Sequence, residues 1–83
     1  MKVEIEPRKF SLLIYEIGGT KRVVDSDITR WGDMRDYVYN MLEDNSNDVL
    51  SVDIRDDRGS WETWKLVIRG DEIYPTCSDT NGG

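Results

Sequence analysis

Lys9–Asp25 reads KFSLLIYEIGGTKRVVD, and its punctuation decides the fold. Lys9–Ile17 is a strong strand pattern, Gly18-Gly19 interrupts it, and Thr20–Asp25 resumes it. A two-residue Gly-Gly link between strand-like runs predicts a tight hairpin. With that link Ile17 pairs with Thr20, Tyr15 with Arg22 and Ile14 with Val23. Phe10, Leu12, Ile14 and Val23 then share one face, and Leu13, Tyr15, Ile17 and Val24 share the other. Two apolar faces require two covers. Residues 1–8, where Val3 and Ile5 alternate with charges as a short strand ended by Pro7, are one candidate for the second. A partner or another copy is the alternative.

Downstream, Trp31, Met34, Val38, Met41 and Leu42 recur at helical spacing and predict a buried stripe. Asp27 or Thr29 is the expected cap, with Asp33 near the positive end of the helix. Gly32 costs the first turn about 1 kcal/mol relative to alanine. Asn45-Ser46-Asn47-Asp48 stops the helix.

Leu50, Val52 and Ile54 then alternate with polar residues, as do Trp64, Leu66 and Ile68. A three-residue loop, Asp57-Arg58-Gly59, sets Val52 across from Trp64 and Leu50 across from Leu66, so both apolar sets face one side. A one-residue slip would separate them. Gly59 supplies the left-handed third position that such a loop wants. The same register sets Arg55 opposite Trp61 as a cation–π pair. Arg69-Gly70-Asp71-Glu72 is a second turn, preferred over an integrin-type adhesion tripeptide. Ile73-Tyr74 follows, Pro75 stops it, and residues 76–83 read as a flexible tail behind a single domain over 1–75.

Hairpin, helix, hairpin predicts a two-layer α+β domain, ββαββ, with one helix on a four- to five-stranded, mostly antiparallel sheet. Over residues 9–68 the order of elements resembles the β-grasp layout of ubiquitin-like proteins and small immunoglobulin-binding bacterial domains. That resemblance gives the terminal Gly82-Gly83 one functional reading, as the tail of a ubiquitin-like modifier or sulfur carrier.

Composition narrows the chemistry. The chain of 83 residues has no histidine and one cysteine, Cys77. The usual general base and nucleophile activator are therefore missing, no intrachain disulfide forms, and zinc lacks ligands. The segment around Asp53–Gly59 lacks the alternating oxygen ligands of a calcium loop, and Gly18-Gly19 lacks phosphate-loop spacing. The expectation is a protein that is not an enzyme and binds no cofactor or metal. With no signal-peptide core and no long apolar run, the expected location is cytoplasmic.

Charge supplies the positive signal. Asp25–Asp57 holds ten acids against three bases, net −7, within a chain of net −6. Such a field repels nucleic acid and anionic membranes and favours a basic protein surface. Asp33, Asp36, Tyr37, Asn40, Glu43 and Asp44 fall on the outward helix side, and Asp48, Asp53, Asp56 and Asp57 extend it at one end of the sheet. Acids one helical turn apart, about 5.4 Å, approach the spacing of phosphates along a DNA strand. The leading expectation is an inhibitor of the phage or mobile-element type that blocks a nucleic-acid-binding enzyme by charge mimicry. The others are the Gly-Gly carrier and a structural subunit or homodimer joined through the first hairpin.

Overall fold

The computed structural model describes residues 7–81. Six elements follow one another: β1 (Phe10–Glu16), β2 (Lys21–Ser26), α1 (Trp31–Asp44), β3 (Val49–Asp56), β4 (Trp61–Arg69) and β5 (Glu72–Asn81). The strands form one sheet in the order β2-β1-β3-β4-β5, and every neighbouring pair is antiparallel. The domain is thus α+β, one helix packed on a five-stranded antiparallel sheet. The β-grasp resemblance reaches no further than that coarse description. The expected Val3–Ile5 strand lies outside the described residues.

The core is where alternation and helical periodicity meet. Phe10, Leu12 and Ile14 from β1 and Val49, Val52 and Ile54 from β3 pack against Met34, Val38 and Leu42 from α1. Trp31 and Met41 pack at its margin, so the helical stripe lies where spacing placed it. Phe10 and Trp31 meet edge to face at 4.9 Å between ring centroids. The helix begins differently from expectation. Arg30 is the N-cap and gives no side-chain capping bond, while Asp27 and Thr29 stay in the preceding loop. Ser26 holds that loop by accepting the Ile28 N–H at 3.2 Å.

Two registers differ from the sequence reading, both at adjacent apolar residues. The first hairpin has a three-residue loop, Ile17-Gly18-Gly19, closed by Glu16 N–H donating to the Thr20 carbonyl at 2.8 Å. Leu12 therefore faces Val24, and Val23 turns to the opposite side, where it is 70% exposed. In β3 the register shifts against β1 at Tyr15/Glu16, so Val49 enters the core at 3% exposure and Leu50 is left outside at 59%. The β3–β4 loop is Asp57-Arg58-Gly59 as expected, with Val52 across from Trp64 and Arg55 across from Trp61. The cation–π contacts among the described residues lie elsewhere, Lys21 on Tyr15 and Arg35 on Trp31.

Both three-residue loops end on a left-handed glycine, Gly19 at φ +91° and Gly59 at φ +89°. Nothing lies within 4 Å of where a Cβ would sit at either. Gly19→Ala and Gly59→Ala therefore isolate backbone strain, and each should lower stability by about 1–2 kcal/mol in urea unfolding. A neutral result at either position would show that its loop relaxes to another turn.

β5 corrects the reading of the C-terminal region. Thr76–Asn81, expected as tail, continue the strand and pair with β4 back to Trp61. Pro75 does not stop it. The Gly70-Asp71 link closes on Arg69–Glu72, so bonded and non-bonded pairs alternate from there. Leu66–Pro75 falls on a non-bonded pair, and the missing N–H of Pro75 faces the edge that no other described strand covers, where a strand tolerates it. A bulge then leaves Ser78 unpaired in the register, its hydroxyl donating to the Thr63 carbonyl at 3.2 Å.

Candidate protein-binding surface

The acids of Asp25–Asp57 divide into three environments. With Met34, Val38 and Leu42 buried, the helical period sends Asp33, Asp36, Asn40, Glu43 and Asp44 to the opposite side, and all are exposed. Tyr37 is 46% exposed beside them and Tyr39 is 39% exposed on the flank. Asp48 is exposed in the turn after the helix, and its carbonyl accepts the Ile17 N–H at 2.9 Å. Among the described residues, none of these carboxylates forms an ion pair.

Three expected members stand apart from that surface. Asp53 lies on the sheet face away from the helix, across from Thr63, and accepts its hydroxyl at 2.8 Å. Asp57 is exposed in the β3–β4 loop, at the sheet end near the start of the helix. Asp56 is interior, its side chain 0% exposed. Its carboxylate accepts Arg8 Nη1 at 2.6 Å, Trp31 Nε1 at 3.1 Å and the backbone N–H groups of Arg58 and Ser60 at 2.9 Å each. Burial pushes this carboxyl up, but the four donors outweigh burial and hold it below the ordinary range. Asp53 and Asp56 are therefore not part of the outward helix face.

Sequence reading missed the second interior carboxylate, Glu62, which is 6% exposed. Arg35 reaches down from the helix and donates through Nε, at 3.0 and 3.1 Å, and through Nη2. Trp64 Nε1 donates to the same carboxylate at 3.0 Å. Burial opposes ionisation here too, and the Arg35 bonds reverse it, leaving Glu62 below its usual range. The signal was present in β4: if Trp64 and Leu66 point inward, Glu62 must as well.

This pair shapes the surface above it. Arg35 is the only base in α1, and it is committed to Glu62. Every charge on the outward side of the helix is consequently an acid. The end of the helix is equally one-sided, because Glu43 and Asp44 occupy a last turn with no base. Acids there oppose the negative end of the macrodipole.

The remaining reactive group is muted. Burial pushes the Cys77 thiol up, and the Glu62 charge adds to it. That is the reverse of an activated nucleophile. Gly82 and Gly83 lie outside the described residues. Among the described residues no group of three or more Cys, Asp or Glu is placed to hold a metal ion, and no helix is long and apolar enough to cross a membrane. Comparison of the chain with protein-family models, with curated proteins and with solved structures finds no match.

Proposed function

We propose that the protein is a non-enzymatic binding module that presents the outward face of α1 to a basic protein surface. In its most concrete form it occupies a nucleic-acid-binding cleft of a target enzyme in place of the phosphate backbone, as a small phage or mobile-element inhibitor would. The contact residues are Asp33, Asp36, Tyr37, Asn40, Glu43 and Asp44, with Asp48 at one end.

One observation carries this reading. The only basic side chain of the helix is turned inward to Glu62, and the outward carboxylates have no ion-pair partner among the described residues. A surface serving solubility alone would intersperse both signs. Glu43 and Asp44 reinforce the point, because they work against the helix dipole and local rules tend to be broken where function demands it. Tyr37 and Tyr39 add aromatic contact area inside the charged field.

The test is affinity capture on the immobilised full chain beside Asp36→Lys/Glu43→Lys. Retained proteins should elute as salt rises past ~0.15 M, where the Debye length is about 8 Å. Added duplex DNA should displace them, and the variant should not retain them. Retention indifferent to salt or to the reversal ends the reading. A companion variant, Glu43→Lys/Asp44→Lys, should weaken capture while raising helix stability by about 0.5–1 kcal/mol. If stability falls instead, the last turn is not strained by its acids.

A further inference from the structure

We propose that two copies of this chain associate edge to edge through β2, about a two-fold axis at Val23 normal to the sheet. The inference does not depend on the acidic helix face. Glu16 and Thr20 close the first hairpin with a hydrogen bond. Bonded and non-bonded pairs alternate along an antiparallel ladder. Ile14–Arg22, Leu12–Val24 and Phe10–Ser26 are therefore the bonded pairs. Lys21, Val23 and Asp25 turn their N–H and C=O groups away from β1, toward the edge that no other described strand covers.

The same three residues place their side chains on the sheet face opposite the helix, in register with Tyr15, Leu13 and Ser11. An axis at Val23 sets this valine beside its counterpart in the second copy. It also sets Lys21 beside Asp25 of the second copy, twice by symmetry. Every outward N–H and C=O of the three residues then has a partner, and two opposite-charge cross-strand pairs flank an apolar centre. Lys21 and Asp25 are both exposed, and neither forms an ion pair among the described residues.

The opposite edge does not offer this chemistry. β5 carries Pro75, with no N–H to give on its outer side, and the bulge at Ser78. Both are devices that blunt a strand edge; β2 has neither, and its own edge charges, Lys21 and Asp25, become each other's partners across the axis. Repulsion between the helices does not prevent the pairing. α1 rests on β3, β4 and β5, so two copies joined at β2 hold their helices several strand spacings of about 4.8 Å apart. That separation exceeds the Debye length of ~8 Å in physiological salt.

Sedimentation velocity of the full chain from micromolar to millimolar concentration tests the pairing. A reversible dimer is expected, and Val23→Lys should abolish it. Lys21→Asp or Asp25→Lys alone should weaken it about tenfold, since each turns two attractions into repulsions. The exchanged pair, Lys21→Asp/Asp25→Lys, should recover to within about threefold of the starting affinity. A chain that stays monomeric at millimolar concentration overturns the proposal, and so does a double variant that fails to recover. For a variant that does not fold, amide exchange of the unmodified chain decides. The Lys21, Val23 and Asp25 amides should slow as concentration rises, and exchange independent of concentration refutes the contact.

Discussion

Asp56→Ala should destabilise the domain by about 3–5 kcal/mol, the range for removing one member of a buried, hydrogen-bonded charge pair. Typical domains have only about 5–15 kcal/mol in total. The carboxylate joins three segments that are distant in sequence: Arg8 before β1, Trp31 at the start of α1, and the backbone of the β3–β4 loop. Truncation leaves the Trp31 N–H and two backbone N–H groups without their acceptor and strands the Arg8 guanidinium. Asp56→Asn keeps the shape and still accepts from the loop through Oδ1, but its amide opposes the donors of Arg8 and Trp31. It should fall between the wild type and Asp56→Ala. Urea unfolding with an unchanged m-value reads the difference. A loss below about 1 kcal/mol for the alanine variant would mean that solvent replaces these bonds without penalty.

Arg35→Ala should cost about 2 kcal/mol, less than a fully buried pair because the guanidinium is half open to solvent. Its clearer signature is in pH. In the wild type both Asp56 and Glu62 are held below their ordinary range. Their contribution is complete above the carboxylate values of the unfolded chain, near 4, and is lost as pH falls through the lower folded values. The wild type should thus lose stability on acidification below about pH 4. Without Arg35, burial acts on Glu62 against the single Trp64 bond, and the folded value should rise above the unfolded one. The sign then reverses, and Arg35→Ala should regain stability as pH falls from neutral toward 5. Unfolding curves at pH 7 and pH 5 distinguish the two slopes. Parallel slopes would show that Trp64 and water keep Glu62 ionised unaided. Replacing both partners, as Arg35→Met/Glu62→Leu, should recover most of the loss, since no uncompensated charge remains.

How much was legible in the chain follows from where its patterns are unambiguous. The helix stripe was readable because its apolar residues recur at three- and four-residue steps, and the β3–β4 loop because an odd loop length puts both apolar sets on one side and Gly59 suits the three-residue form. Val23-Val24 and Val49-Leu50 are different. Either member of each pair satisfies the core, so alternation cannot choose, and turn geometry and a bulge decide. Pro75 misled for a related reason: proline forbids a central strand but not an edge, and strand order is not written in local sequence. For the surface, helical spacing alone placed Asp33, Asp36, Glu43 and Asp44 together. It could not show that Asp53 would point the other way or that Asp56 would be interior, because both depend on strand facing and on long-range donors. Arg35 was invisible as a partner of Glu62, as the two are 27 residues apart.

The proline on the last strand also sets a limit on stoichiometry. Ladder growth needs two receptive rims, one to accept each incoming chain and one to pass the template on. Here the rim formed by the last strand lacks a donor where continuation would require it. Strand-by-strand growth past that rim forfeits a ladder bond at Pro75 and meets the bulge at Ser78, so fibre formation is disfavoured relative to closed pairing at the first hairpin's rim.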